Sequence, residues 1–88
     1  MDPILKLKTG HYIDLDKLYF ISPTISRLGF DWDFKLYFQL CLEPLKIGMD
    51  DLRHEIHGDV FPYKLEEFND YRDEICRQWI KYKNECKS

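Results

Sequence analysis

The sequence predicts an α+β domain in which a small antiparallel β-sheet is covered by one C-terminal amphipathic α-helix. In residues 33–43, apolar side chains occupy every second position, at Phe34, Leu36, Phe38, Leu40 and Leu42. This alternation is typical of a half-buried strand. In residues 65–86 the apolar positions follow the helical period instead. A sheet and a helix, each with one apolar face, bury both faces when they pack together.

The length of 88 residues predicts a single domain, residues 1–88, with one core. Hydrophobic residues make up 44% of the chain and aromatic residues 16%. Aromatic side chains bury a large area each, so this core can form without a disulfide or a metal ion. We expect no cofactor.

The first part of the chain predicts an antiparallel meander. Short strands are expected in residues 4–8, 11–15 and 18–22, with a turn at Thr9 and Gly10. Pro23 ends this series because proline has no amide donor for a strand ladder.

The middle of the chain predicts further strands around the main one. Residues 25–33 are expected to be a loop or hairpin connection, and residues 45–49 another strand after Pro44. The charged segment 50–58 is predicted to be a surface connection, and residues 60–63 are predicted to be extended. The sheet therefore has about four to five strands. The same order of strands and helix would fit an open sheet or a partly closed, PH-like one.

The predicted helix over residues 65–86 has an apolar half and a polar half. Its early turns are acidic and its later turns carry Arg77, Lys81 and Lys83, an order that complements the helix dipole. No Ser, Thr, Asp or Asn stands at the expected N-cap, so the start of the helix is the less certain boundary.

Charge and cysteine usage narrow the class of protein. The net charge of −3 disfavours nucleic-acid binding, which depends on Lys and Arg. A weaker alternative is nucleic-acid contact through Lys6, Lys8, Lys17 and the basic end of the helix. Three cysteines without motif spacing predict a reducing compartment. Together with an N-terminal segment that lacks the apolar run of a signal peptide, they predict a cytoplasmic protein without a membrane span.

The densest set of potential metal ligands lies in residues 50–59. His54 and His57 would share one face if this segment were helical, and Asp59 could add an oxygen ligand. The spacing differs from the H-E-x-x-H motif. The segment is therefore kept as an alternative site for a metal or small ligand, next to the simpler interpretation of a solvated polar loop.

Motifs for catalysis are lacking in the sequence. The chain has no G-x-S-x-G elbow, Walker loop or Rossmann glycine set. Asp31 and Asp33 would share one face of a strand, but two acids in a loop are more simply explained by solubility. The prediction is a non-catalytic protein.

Acidic residues are concentrated in the second half of the chain. Residues 50–74 hold nine acidic and three basic side chains, a net charge of −6. Such a surface can steer a basic protein partner. The residues predicted to form this acidic face are Glu66, Glu67, Asp70, Asp73 and Glu74.

Aromatic residues exceed what one small core can hold. Phe30, Trp32 and Tyr37 are predicted to form a surface patch, because aromatic side chains are enriched at protein interfaces. We therefore expect a small interaction domain, such as an inhibitor or regulator of phage or bacterial origin. It would bind a partner protein, or a second copy in a homodimer, through this patch and the acidic face.

Overall fold

The computed structural model describes residues 2–26, 29 and 31–86, and it has the predicted α+β fold with one C-terminal helix. In these residues there are eight short strands, one 3₁₀ turn at Met49–Asp51 and one α-helix. The strands are β1 (Ile4–Lys6), β2 (Tyr12–Asp14), β3 (Leu18–Ile21), β4 (Ile25–Ser26), β5 (Trp32–Phe38), β6 (Leu45–Gly48), β7 (Arg53–Ile56) and β8 (Asp59–Pro62). The helix α1 spans Leu65–Cys86.

The main sheet is built around β5, and all its pairings are antiparallel. β6 pairs along one edge of β5, whereas β3 and β4 follow each other along the opposite edge. The break between β3 and β4 contains Pro23, as expected of a residue that cannot donate to the ladder. Ser22 maintains the pairing there, because its backbone N–H donates to the carbonyl of Lys35 and its hydroxyl accepts from the N–H of Lys35.

The other strands form two separate hairpins, β1–β2 and β7–β8. The second hairpin corrects the prediction that residues 50–58 are a surface connection. His57 and Gly58 both have positive φ, at 53° and 85°, which is the conformation of a two-residue hairpin turn. In the described part of the chain the strands form three sheets and do not close into a barrel.

The core lies between the inner face of the main sheet and α1. The rings of Phe34 and Phe68 lie 5.1 Å apart, and both side chains are fully buried. Hydrogen bonds tie the same helix to the strand ends. Arg72 donates to the carbonyl of Ser22 at 2.6 Å, and Tyr71 accepts from the backbone N–H of Lys8 at 2.9 Å. The helix therefore holds the first hairpin and the main sheet together.

The start of α1 is stabilised without the usual N-cap side chain. The N–H of Lys64 donates to the carboxylate of Glu67 at 3.1 Å, which is the reciprocal half of a capping box. Tyr63 and Phe68, both buried, occupy the positions of a hydrophobic staple on either side of the cap. The predicted helix start is confirmed, and these residues explain it.

The main strand is shorter than predicted. It ends at Phe38 rather than at residue 43, and Leu40 and Leu42 are fully exposed instead of buried. The N–H of Cys41 donates to the carbonyl of Phe38 at 3.3 Å, and Leu40 has a φ of 66°. Leu40 thus occupies a left-handed turn position that normally favours glycine.

The molecule is a thin slab. Its principal extents are 42 × 31 × 19 Å, and its radius of gyration of 14.0 Å exceeds the value of about 12 Å expected of a compact domain of this length. One helix layer lies on one face of the main sheet, and β7 and β8 form a separate hairpin. None of the described helices has both the length and the apolar character that a membrane crossing requires.

Candidate interaction surface

The face of the main sheet that points away from the core carries a mixture of aromatic and charged side chains. Phe34 and Leu36 of β5 point to the core, so Asp33, Lys35 and Tyr37 point to the other face. We call this second side the outer face. The neighbouring strands add Phe20, Ile25 and Lys46 to it, since these residues are the cross-strand partners of Tyr37, Asp33 and Lys35.

A β-bulge in β3 brings a further aromatic side chain to this face. Leu18 pairs with Phe38 and Phe20 pairs with Tyr37, so Tyr19 is an extra residue in the register. A bulge places two residues opposite one and redirects a side chain. As a result Tyr19 and Phe20 are both exposed, although they are adjacent in the sequence.

Tyr19, Phe20 and Tyr37 form one ring cluster, the aromatic cluster. The ring centroid of Tyr37 lies 5.5 Å from that of Phe20 and 6.3 Å from that of Tyr19. Both distances are in the range of favourable aromatic pairs. Phe20 and Tyr19 keep 49% and 53% of their area in contact with solvent, so the cluster presents apolar area that the fold itself leaves open.

Basic side chains lie next to the aromatic cluster. Lys35 and Lys46 stand directly opposite each other on β5 and β6, an arrangement of like charges that costs stability. Asp33 lies beside them with its side chain almost fully buried, and its carboxylate is 3.7 Å from the ammonium of Lys46. The outer face therefore offers rings and a lysine pair, of which one lysine already has a carboxylate nearby.

Trp32 and Tyr37, two of the three residues of the predicted aromatic patch, do not share one surface. Trp32 and Tyr37 are five positions apart on β5, so they point to opposite sides of the sheet, and Trp32 packs against the core. Phe30 lies outside the described residues. Tyr37 belongs to the aromatic cluster, in which Tyr19 and Phe20 are its neighbours.

The acidic residues predicted on α1 divide into two groups. Glu67, Asp70 and Glu74 line a groove that Lys8, from the turn after β1, and His54, from β7, line as well, whereas Glu66 and Asp73 are exposed elsewhere on the helix. Several of these charges are offset inside the chain. Arg77 donates to Glu74 at 2.6 Å, Arg72 lies 3.5 Å from Asp73, and His54 pairs with Glu67. The acidic face is thus weaker than its count of carboxylates indicates.

The groove of about 250 Å³ brings together ionisable and aromatic groups from distant parts of the sequence. The ammonium of Lys8 donates to the hydroxyl of Tyr63 at 2.7 Å and lies 5.1 Å from the ring centre of Tyr71. His54 stacks on Tyr63 with a ring separation of 4.2 Å and contacts Glu67. We call this feature the His54 groove.

Three groups in the His54 groove have shifted pKa values. Hydrogen bonds from Gln78 and Arg77 lower the pKa of Glu74, and the pKa values of Glu67 and Tyr71 are shifted as well. The backbone N–H of Lys64 lowers the pKa of Glu67, and the contact with His54 lowers it further. Burial raises the pKa of Tyr71, although the N–H and the charge of Lys8 act in the opposite direction. Hydrogen bonding to the charged carboxylate and desolvation of the phenolate are the respective causes.

The predicted metal ligands do not share a helical face. His54 lies in β7, His57 lies in the turn, and Asp59 begins β8. The helical arrangement that would place His54 and His57 on one face is not formed, because the His57–Gly58 turn closes a hairpin. Within residues 2–26, 29 and 31–86, no group of three or more side chains of the metal-binding type converges.

Comparisons with protein-family models, with curated proteins and with solved structures find no match for this chain.

Proposed function

We propose that the protein is a small non-catalytic interaction domain that binds a partner protein through the outer face of its main sheet. The observation that carries the proposal is the aromatic cluster, which leaves large apolar area open on a face that the helix does not cover. Aromatic side chains provide much of the binding energy in protein interfaces. A regulator or inhibitor is one form that such a domain takes, and the cytoplasm is its expected compartment.

The charges of the outer face indicate the chemistry of the partner. Lys35 and Lys46 face each other without an intervening residue, and a carboxylate from the partner would relieve their repulsion. We therefore expect a partner surface with apolar side chains in the middle and acidic side chains at one edge. The acidic face of the helix differs from this surface in its charge. Its expected role is to orient the protein while it approaches its partner.

The experiment is a pull-down from nuclease-treated lysate of the source organism with tagged wild type and two matched variants. Phe20→Ala removes the one phenylalanine of the aromatic cluster. Phe61→Ala is the control, because Phe61 has almost the same exposure, 47% against 49%, but lies on β8. We expect a partner that Phe61→Ala retains and that Phe20→Ala loses or binds at least about tenfold more weakly.

The affinity of any captured partner is then measured with purified proteins. Equal binding by wild type and Phe20→Ala would overturn the proposal. Loss of binding in Phe61→Ala alone would place the contact on the second hairpin instead. Circular dichroism of both variants verifies that each one is folded.

A second candidate function is the binding of a small ligand in the His54 groove. The specific observation in its favour is that the two tyrosine rings already hold an ammonium group, that of Lys8, with carboxylates beside it. An amine ligand would find the same environment. Nuclear magnetic resonance titrations with an alkyl amine, and separately with zinc, test this candidate through the shifts of His54 and Tyr63. Unchanged spectra in both titrations would contradict ligand binding in the His54 groove.

A further inference from the structure

A loop that follows β5 exposes two large apolar side chains completely. Leu40 and Leu42 have the highest exposure of all described hydrophobic residues, 100% and 103%. Leu40 also has a left-handed backbone conformation, with a φ of 66°, which disfavours any residue with a Cβ. We call residues 39–43 the leucine loop.

An apolar groove lies directly beside the leucine loop. It has a volume of about 310 Å³, and its apolar lining residues include Tyr12, Phe38 and Leu45. Cys41, which stands between the two exposed leucines, lines the same groove. The projecting side chains and the cavity that could receive such side chains are therefore adjacent on one surface.

We propose that the occupant of this groove is the leucine loop of a second copy of the chain, in a two-fold symmetric dimer. A two-fold interface is self-complementary, so each copy must provide both the projecting group and its receptor. The leucine loop and the groove meet that requirement. This dimer is a proposal separate from the binding function of the outer face, since Phe38 and Leu45 belong to the inner side of the sheet.

The charges around the two features are partly complementary. Glu43 follows Leu42 in the loop, whereas Lys17 and Asp14 both line the groove. When one loop enters the groove of the other copy, we expect Glu43 to lie on the side of Lys17 and away from Asp14, and this contact forms twice because of the symmetry. Opposite charges at the edge of an apolar contact favour the correct partner and orientation.

The solvent-accessible area of the chain is larger than expected of a folded monomer of its mass. It is 6280 Å² for a mass of 10.8 kDa, against about 5,500 Å² expected of a folded monomer of this mass. The excess is close to the area of about 800 Å² that each partner buries in a standard interface.

Sedimentation velocity over a wide range of protein concentration tests the dimer. We expect wild type to dimerise and Leu42→Asp to be monomeric at the same concentrations. The expected weakening is about a hundredfold or more, because a symmetric interface feels each substitution twice. Ile80→Asp is the matched control, since Ile80 is also an exposed aliphatic residue but lies on α1, and it should dimerise like wild type.

Cysteine cross-linking provides a second test of the proposed two-fold symmetric dimer. Cys41 and Cys86 are both exposed free thiols. Cys86→Ser retains Cys41 and should give dimers with a short bis-maleimide, whereas Cys41→Ser should not. Addition of Leu42→Asp to Cys86→Ser should abolish the cross-link.

Three results would overturn the proposal. The first is a wild-type monomer at the highest concentration that stays in solution. The second is a dimer that survives Leu42→Asp, because its interface must then lie elsewhere. The third is a monomer that captures a different protein through the leucine loop, because the occupant is then not a second copy. None of these results bears on Phe20→Ala, so failure of the dimer and failure of the proposed function are distinguishable.

Discussion

The two halves of the alternating run in residues 33–43 differ completely in their surroundings. Phe34 and Leu36 are fully buried, whereas Leu40 and Leu42 are fully exposed, although all four occupy equivalent positions in the sequence pattern. The first half has β6 on one edge, β3 and β4 on the other, and α1 on its apolar face. The second half is part of the connection to β6 and lacks such strand partners. Alternation alone therefore does not bury a residue, because burial also requires strands beside it and a layer above it.

The largest expected contrast lies between two alanine substitutions within this run. Phe34→Ala should lower the free energy of unfolding by about 3–5 kcal/mol, because it removes a buried ring that packs on Phe68. Leu40→Ala should change it by less than about 0.5 kcal/mol. Urea denaturation at low protein concentration measures both. Similar losses of unfolding free energy in the two variants would contradict this prediction.

A glycine substitution should change stability in opposite directions in the two halves. Leu40→Gly is expected to raise the free energy of unfolding by roughly 0.5–1 kcal/mol, since relief of the left-handed strain outweighs the added flexibility of the unfolded chain. Leu36→Gly should destabilise the protein by several times that amount, on the order of 3 kcal/mol or more. Leu42→Gly is the matched control without positive φ, and it should not be stabilising. Stabilisation by both loop glycines would show that backbone strain at Leu40 is not the cause.

The smallest expected effect is a pH-dependent change in stability. It arises at the start of α1 and extends to the first half of the run, because Phe68 of this helix packs on Phe34. The pKa of Glu67 lies below its usual value of 4.5, mainly because the N–H of Lys64 donates to its carboxylate. A lowered pKa stabilises the fold above pH 4.5 and loses that contribution as the pH falls through the folded-state value. Glu67→Gln keeps an acceptor for Lys64 but removes the charge.

We therefore expect Glu67→Gln to lower the Tm at pH 7, with a difference from wild type that shrinks to zero in acid. Amide exchange at Phe34, which packs on Phe68 near this helix start, should become faster in the variant at pH 7. Exchange at Leu40 should not change. A Tm difference that is constant with pH would mean that the charge of Glu67 is not what stabilises the helix start.

The sequence predicts those features whose causes are local. The helix over Leu65–Cys86 is confirmed because its period is repeated over 22 residues and needs no distant partner. The end of β5 was not predictable from alternation, since the turn at Leu40 places leucine where glycine is usual. The second hairpin was missed because its charges resemble a loop, although the His57–Gly58 pair was a usable turn signal.

The candidate surface was predicted only in part, at Tyr37. Trp32 was grouped with Tyr37 by nearness in the sequence, whereas the parity of positions along a strand places them on opposite sides. Tyr19 and Phe20 could not be assigned to one face, because their common orientation depends on a bulge between two strands that are distant in the sequence. Two adjacent aromatic residues between the aliphatic Leu18 and Ile21 were the available hint in the sequence.

The slab thickness of 19 Å has a consequence for the thermodynamics of binding. A partner that covers the outer face would complete a three-layer arrangement around β5. Because ligands that bind only the native state add RT ln(1 + [L]/Kd) to its stability, a partner at a hundred times its Kd would add about 2.7 kcal/mol. That gain is comparable to the contribution of a whole core side chain. The melting temperature of this protein is therefore expected to be a sensitive indicator of whether its partner is present.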